Sequence, residues 1–473
     1  MRKLLSSALV FASVVFAQPG KPVASFKDLK FPAPGRIPVP EPVRFQLPNG
    51  MILMLVEDHE LPTINVNAMI RVGSLWEPAG KAGLAVIAGT VMRTGGSVTR
   101  NGDQLDRELD RLAASVEIGI GGDLGTASIF CLKEDIDKAL PILADLLQHP
   151  AFPQDKIELS KIEQRDNIAR RNDDPQGIAG REFNRVLYGK DTPYGRVAEN
   201  ATINAITRDD LVAFHKQFFQ PESVIVAAWG DFKVAEMRAK LEQAFASWPR
   251  GGRPWHKVPA VESANRGGLY LIDKSDVNQS SVMLGRLASR SDDPDYCALT
   301  VMNGILGDGF ASRLFSQVRS EQALAYAVWS NWSAEYEFPG VFTAFGGTKS
   351  ESTVKIIKAI RHEMDRLATD PIGDEELARA KDSILKGMAF EFDAISKTLG
   401  RLATYEFHGY PRDFLQRYQD GIRAVTKADV VRVAKQYLKS DQFAVLVLGK
   451  EKDFDAPLSS LGKVTRIDIT IPK

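Results

Sequence analysis

The sequence predicts an α+β protein made of two homologous α/β modules in tandem, which form a clamshell around a central cleft. An internal repeat supports this prediction. Residues 203–230 align without a gap with residues 422–449, which lie 219 positions further along the chain. Both copies have the pattern of a helix capped by a threonine, Thr207 or Thr426, and then an apolar strand that ends in glycine. Two similar halves joined by a linker favour a cleft between them, the usual place for a ligand.

The first residues are typical of a secretory signal peptide. A positive start at Arg2 and Lys3 precedes an uncharged apolar run, and small residues lie just before Gln18. Because this run is too short to span a bilayer, residues 1–17 are predicted to be a signal peptide that is cut after Ala17. We therefore expect an exported protein, periplasmic or secreted, without a membrane span. A mitochondrial transit peptide is the alternative.

The rest of the chain divides by composition. Residues 18–42 are rich in proline, which predicts an extended arm. An Asn-Gly pair between two apolar runs then predicts a β-hairpin at the start of the first module, residues 43–247. Residues 248–268 combine proline, glycine and charge, as an inter-domain linker does, and residues 269–473 form the second module.

The charge pattern excludes some classes of partner. The 60 basic and 60 acidic residues cancel, and neither sign runs in blocks. We therefore expect no nucleic-acid partner and no electrostatic attraction to a membrane surface. The Gly-x-Gly pattern of Gly307 and Gly309 does not indicate a nucleotide site, since it lacks the strand–helix spacing and the lysine of such sites.

An ordered set of motifs runs along the chain. The first half carries LPNGMILMLVED at 47–58, GLA at 83–85 and NDDP at 172–175. The second half carries LGDGFASRLFSQVRSEQALAY at 306–326. Together these motifs resemble the insulinase/pitrilysin-type peptidases, the inverted-zincin family that includes the mitochondrial-processing-peptidase-like proteins. The likeness covers nearly the whole chain after the signal peptide, and the length best matches the short bacterial members.

The resemblance implies a zinc site that this sequence does not complete. Active members carry His-x-x-Glu-His on a helix, and a distal Glu completes the three protein ligands. Here the two ligand positions of the motif are Val86 and Thr90, the general-base position is Gly89, and the distal position is Asn167. Valine and glycine offer no donor atom, and threonine and asparagine oxygens are poor zinc ligands. We therefore expect no metal in this chain, and zinc only in a partner chain.

The resemblance also implies residues in the second half that reach the substrate. Active members carry an arginine and, seven positions later, a tyrosine; these are Arg319 and Tyr326 here, with Ala323 in place of the usual glycine. A phenol and a guanidinium can stabilise a developing oxyanion, so the two are the candidate catalytic residues, acting in trans. Gly307 and Gly309 lie where the family's zinc-less processing subunit has a glycine-rich substrate loop, which makes them candidate binding residues.

These inferences favour a catalytically deficient subunit of an exported zinc metallopeptidase. Such a subunit encloses a peptide substrate, supplies Arg319 and Tyr326 to a zinc-bearing homologous partner in a hetero-oligomer, and has no proteolytic activity alone. The alternative is a non-proteolytic peptide-binding or structural subunit with the same fold. A self-sufficient hydrolase that uses other residues is a third hypothesis.

Overall fold

The computed structural model describes residues 41–252, 257–261 and 267–472. The predicted signal peptide, all but the last two residues of the predicted arm, and part of the predicted linker lie outside these residues. Within the described ranges, no helix is both long enough and apolar enough to span a bilayer.

A six-stranded sheet forms the centre of the first half. Its strands are β1 (Val43–Gln46), β2 (Ile52–Glu57), β3 (Thr63–Ile70), β4 (Ser115–Ile120), β5 (Gly125–Leu132) and β6 (Val224–Gly230). They lie in the order β1-β2-β6-β3-β5-β4, with β2 and β6 parallel and the other neighbours antiparallel. The predicted hairpin is confirmed: β1 and β2 pair across a turn at Gly50, whose φ of +96° favours glycine.

The helices of the first half lie mostly on one face of this sheet. They are α1 (Leu84–Thr94), α2 (Gly102–Leu112), α3 (Ile136–Gln148), α4 (Gln154–Arg170), α5 (Pro175–Tyr188), α6 (Asn200–Asn204), α7 (Arg208–Phe218) and α8 (Val234–Ala244). A continuous apolar core joins the sheet to them and includes Leu53 of β2, Ile87 of α1 and Leu143 of α3. Burial of this core is the main favourable contribution to the folding of the first half.

The second half repeats this arrangement. Its strands are β7 (Gly268–Asp273), β8 (Gln279–Leu287), β9 (Ala327–Trp332), β10 (Val341–Lys349), β11 (Ala444–Gly449) and β12 (Val464–Arg466). Its helices are α9 (Tyr296–Leu306), a π-helix (Leu314–Glu321), α10 (Thr353–Thr369), α11 (Asp374–Gly387), α12 (Ile395–Phe407), α13 (Phe414–Ala424) and α14 (Lys427–Tyr437). The strands lie in the order β12-β7-β11-β8-β10-β9.

The two strand orders match position by position. β2, β6, β3, β5 and β4 correspond to β7, β11, β8, β10 and β9, and the intervening helices follow in the same sequence. The predicted threonine caps are also confirmed: the Thr207 and Thr426 hydroxyls accept from the N–H groups of Asp210 and Asp429. The α+β architecture of two homologous modules is therefore confirmed, while the predicted module boundaries stay a prediction.

The two modules interlock through one helix each. α12 of the second module packs on the first sheet, where Leu399 and Phe407 join a buried cluster with Ile225 of β6. α5 of the first module packs on the second sheet, where Phe183 joins a buried cluster with Leu446 of β11. Each sheet is therefore covered on one face by its own helices and on the other by a helix of the opposite module.

Polar contacts reinforce this junction. The Glu337 carboxylate accepts from Arg71 Nη1 at 2.8 Å and lies 2.8 Å from His408 Nδ1, at a cleft of about 670 Å³ between the modules. The end of the chain returns to the first module, where the Asn172 side-chain amide donates to the Ile469 carbonyl at 2.7 Å. Contacts between residues hundreds of positions apart therefore fix the relative placement of the two modules.

Candidate functional site

Helix α1 carries three of the four positions that correspond to a zinc site. Val86 is 39% exposed, Gly89 is buried and Thr90 is half-buried. The helix starts at Gly83, whose φ of +104° turns the chain into the first helical residue. Because 3.6 residues make one turn, Val86 and Thr90 lie one above the other on the same face of α1.

A carboxylate from outside the helix caps α1. Glu77 accepts hydrogen bonds from the N–H groups of Gly83 at 2.6 Å, Leu84 at 3.2 Å and Ala85 at 3.4 Å. Burial raises the pKa of Glu77 to about 7, although these N–H groups and the nearby Arg196 favour the charged form. No sequence pattern predicts this cap, because the carboxyl lies six or more positions away from the groups it binds.

Gly89 lies at a close approach between α1 and β4. A Cβ at this position would lie 2.9 Å from the backbone nitrogen of Ile120 and 3.1 Å from its Cγ1. A glutamate in this general-base position therefore requires α1 and β4 to move apart. Glycine has a packing role here that a sequence pattern alone does not reveal.

The fourth position lies on the neighbouring helix α4, which packs against α1. Asn167 is exposed on this helix. The four positions together offer one hydroxyl and one amide but no imidazole, thiolate or carboxylate, so they do not fit a zinc ion. In the described ranges, no group of three or more His, Cys, Asp and Glu side chains is arranged to hold a metal ion.

The candidate residues of the second module lie around the start of β9. Arg319 is in the last turn of the π-helix, with its guanidinium 4.6 Å above the Phe315 ring. Tyr326 directly precedes β9 and is 52% exposed, and its N–H donates to the Gly347 carbonyl at 2.9 Å. As far as the structure describes the chain, neither side chain makes a hydrogen bond or ion pair, so both polar groups are available to a ligand.

A left-handed residue connects these two side chains. Ala323 has a φ of +51°, a conformation that glycine adopts freely and that costs an alanine about 1 kcal/mol. This finding explains why the family pattern has glycine at this position. The turn is held by the Leu324 N–H, which donates to the Val318 carbonyl at 3.0 Å.

Gly307 and Gly309 form the turn that follows α9, and each is a glycine for a different reason. A Cβ on Gly307 would lie 2.3 Å from the Ser330 nitrogen, whose N–H donates to the Gly307 carbonyl at 3.1 Å. Gly309 has open space around it but a φ of +85°. Gly307 therefore fastens the turn to β9, and Gly309 directs the chain towards the exposed Phe310.

The structure brings the sequence-predicted residues together as two groups. Val86, Gly89, Thr90 and Asn167 share the α1–α4 pair in the first module, and the remaining four lie within residues 307–326 of the second. Among the described residues, no hydrogen bond or ion pair joins one group to the other. The groups lie beside β4 and β9, which are equivalent edge strands of the duplicated sheets.

Comparison with protein families agrees with this architecture. Residues 53–193 match the insulinase family, peptidase family M16, and residues 205–384 match the peptidase M16 inactive domain. The duplicated fold and its helix pair thus define a two-module peptidase homologue. The chain belongs to the insulinase-like peptidase family, M16.

Individual relatives and solved structures are similar over most of the chain. An uncharacterised zinc protease of Mycobacterium leprae is 28% identical over 415 residues, which cover 86% of this chain and 91% of that protein. A peptidase M16 inactive domain from Pseudomonas fluorescens has a similar fold, with a TM-score of 0.77, 24% identity, and 86% and 98% of the two chains covered. The periplasmic protease PqqL from Escherichia coli has a TM-score of 0.73 at 15% identity, and the match covers 87% of this chain and 46% of PqqL.

Proposed function

We propose that this chain is the catalytically deficient subunit of an insulinase-type zinc peptidase and acts with a zinc-bearing homologous chain. The residues at the zinc positions of α1 and α4 are the observation that supports this proposal. The family's helix pair is in place, yet Val86, Gly89, Thr90 and Asn167 supply neither zinc ligands nor a general base. Similar proteins are named zinc proteases, and this chain lacks the residues to hold zinc. We therefore assign the metal and the hydrolysis to the partner chain and no metal to this chain.

The proposed role of this chain is to enclose a peptide substrate. Arg319 presents a cation and Tyr326 a phenol, and neither group has an intramolecular polar partner among the described residues. Both groups are therefore free to donate hydrogen bonds to a substrate carbonyl. Trp329 of β9 is 41% exposed beside them and stacks on Phe345 at 5.2 Å, which gives an apolar surface for peptide side chains.

The proposed location of the assembly is outside the cytoplasm. Two observations support it: the signal-peptide pattern of residues 1–17, and the similar fold of PqqL, which is described as periplasmic. Amino-terminal sequencing of the chain purified from its native host tests this, with Gln18 expected as the first residue. An intact Met1 would contradict it.

The partner is tested by purifying the tagged mature chain from its native host. We expect a homologous chain with His-x-x-Glu-His to co-purify, one zinc ion per pair, and cleavage of unfolded peptides only by the pair. One tightly bound zinc per copy of this chain alone, with chelator-sensitive cleavage, would overturn the proposal. Recovery without any peptidase chain would instead favour a non-proteolytic peptide-binding or structural subunit.

The proposed donation of side chains is tested in the assembled pair. Removal of one oxyanion donor costs about 10²-fold or more in rate, so Arg319→Ala and Tyr326→Phe should each lower kcat by about that factor. Arg107→Ala is the matched control, because Arg107 is exposed on α2 and is the equivalent of Arg319 in the first module. The two arginines are 212 positions apart, as are the starts of the equivalent strands β4 and β9. Full activity of both variants would show that Arg319 and Tyr326 have no role in hydrolysis.

A further inference from the structure

A cavity of about 450 Å³ lies inside the second module, between α9, α11, α12 and α13. These helices match α1, α4, α5 and α6, so the cavity corresponds in place to the zinc-position helices of the first module. Part of its wall is a 3-10 turn, Met388–Glu391, that follows the end of α11, whereas α4 continues for 17 residues without a break. Neither Arg319 nor Tyr326 lines this cavity.

Aromatic rings form part of the lining of this cavity, beside polar and charged side chains. Ring centroids are 5.4 Å apart between Tyr296 and Tyr418 and 5.0 Å apart between Tyr405 and Phe414. Burial raises the pKa of Tyr418 to about 12 and also raises the pKa values of Tyr296 and Tyr405, so the phenols stay neutral. Neutral phenols present π faces and oxygen lone pairs, both of which attract a cation. The six rings of the lining are Tyr296, Tyr336, Phe392, Tyr405, Phe414 and Tyr418.

The charged side chains of the lining leave a net negative charge. Arg401 donates from Nη2 to Glu391 Oε2 at 2.5 Å, so these two charges compensate each other. Asp308 also lines the cavity. In the part of the chain that the structure describes, the Asp308 carboxylate makes no hydrogen bond or ion pair. An anionic ligand would face this carboxylate, whereas a cationic one would neutralise it.

The turn after α9 holds Asp308 in place. Gly307 is packed against the backbone of Ser330, and Gly309 takes the left-handed conformation that lets the chain turn directly after the aspartate. The Asp308 N–H donates to the Asn303 carbonyl at 3.2 Å, which ties the turn to the end of α9. The two glycines singled out from the sequence therefore fix the backbone on both sides of this carboxylate.

Two phenylalanines are exposed beside the charged residues of the lining. Phe310 is 81% exposed two positions after Asp308, and Phe390 is 74% exposed directly before Glu391. Large apolar side chains this exposed are available to apolar groups of a ligand that extends beyond the cavity.

We propose that this cavity binds a lysine or arginine side chain of a peptide, whose neighbouring apolar residues pack against Phe310 and Phe390. The cation lies among the tyrosine rings and faces Asp308, so aromatic faces and one carboxylate compensate for its lost hydration. This inference rests on the proposed function in taking the ligand to be a peptide, but it concerns binding by this chain alone.

The test measures binding of labelled peptides to the purified chain by fluorescence anisotropy. The three probes are identical peptides in which one lysine, flanked by leucines, is kept or replaced by norleucine or by glutamate. We expect the lysine peptide to bind about tenfold or more tightly than the norleucine peptide, as aromatic and carboxylate contacts with a desolvated cation imply. The glutamate peptide should bind most weakly, because it places a second negative charge beside Asp308.

Four variants locate the binding. Asp308→Asn should remove most of the preference for lysine over norleucine, and the side chain is exposed enough for this variant to fold. Tyr418→Leu should weaken the lysine peptide severalfold, whereas Tyr418→Phe keeps the ring and most of the affinity. Glu375→Gln removes an exposed carboxylate on α11 that does not line the cavity and should have no effect.

Equal affinity for the lysine and norleucine peptides, or an unchanged preference in Asp308→Asn, would overturn the inference. So would the absence of binding by all three peptides. Neither result decides the proposed function, because co-purification with a zinc-bearing chain and cleavage by the pair are measured independently of this cavity.

Discussion

The two modules share a strand order but differ in what lies beside their equivalent helices. In the first module, α1 lies so close to β4 that Gly89 has no room for a Cβ beside Ile120. In the second module, α9 and α11 instead border a cavity of about 450 Å³ lined by tyrosines. The strand order and the threonine caps are therefore shared by the two modules, while the space beside their equivalent helices differs.

The largest loss of stability should come from weakening the contacts of α5 and α12, each of which packs on the sheet of the opposite module. Phe183→Ala in α5 and Phe407→Ala in α12 each remove a ring that is 1% exposed, and we expect each to lower the free energy of unfolding by about 3–5 kcal/mol. Since each helix packs on the opposite module's sheet, both variants should shift one common transition in urea, followed by circular dichroism.

Phe390→Ala is the control for this pair, because its ring is 74% exposed and should contribute little. Two separate unfolding transitions in the wild-type protein would show that the modules fold independently. That result would contradict the expectation that the exchanged helices make the two modules one cooperative unit.

The cap of α1 should make the stability of the first module depend on pH. Burial raises the pKa of Glu77 from its ordinary 4.5 to about 7, so the folded protein binds more protons than the unfolded chain between these values. The contribution of Glu77 to the free energy of unfolding is then fully present below about pH 4.5. It falls by about 3 kcal/mol as the pH rises through 7.

Glu77→Gln keeps an acceptor for the N–H groups of α1 but does not titrate. Urea titrations at several pH values should therefore show a smaller decline with pH for Glu77→Gln than for the wild type. Parallel curves for the two proteins would show that Glu77 is charged in the fold throughout this range.

The close approaches at Gly89 and Gly307 should differ in cost. A Cβ on Gly307 would lie 2.3 Å from a backbone nitrogen of β9, against 2.9 Å to β4 for Gly89. We expect Gly307→Ala to lower the unfolding free energy by about 2 kcal/mol. Gly89→Ala should lower it by about 1 kcal/mol, because the higher helix propensity of alanine offsets part of the overlap.

Gly400→Ala is the matched control, since Gly400 lies inside α12 with no described atom within 4 Å of the point where a Cβ would lie, and it should gain stability. Chemical denaturation of the three variants checks this order. A loss in Gly400→Ala as large as that in Gly307→Ala would mean that helix geometry, and not close packing, decides these costs.

The smallest effect should be a gain at the left-handed alanines. Ala113 and Ala323 follow α2 and the π-helix, the equivalent helices of the two modules, with φ values of +46° and +51°. Ala113→Gly and Ala323→Gly should each stabilise the fold by about 1 kcal/mol, because glycine relieves the strain of this conformation. Thermal unfolding measures the gain, and a lowered Tm in both variants would show that the strain is absent.

Much of the fold follows from local patterns. The Asn-Gly hairpin and the threonine caps at Thr207 and Thr426 are each encoded within a few neighbouring residues, and both are present in the structure. The duplicated order of elements, which is also present, shows in the sequence as a match between distant segments. The four zinc positions follow from the resemblance of the surrounding motifs to the peptidase family. The buried cap from Glu77 was not predictable, because nothing near it in the sequence marks the helix end that it binds.

The two-module architecture was predictable from the amino-acid sequence, because the two halves repeat each other at a fixed offset. The resemblance to the peptidase family locates the zinc positions at Val86, Gly89, Thr90 and Asn167, and their residue types offer no imidazole, thiolate or carboxylate. Only the folded chain shows that α5 and α12 each pack on the sheet of the opposite module and that Gly89 lies against β4. It also shows that six aromatic rings line a cavity beside Asp308. These features depend on contacts between distant segments, which are set by how whole faces of helices and sheets pack and not by any local pattern.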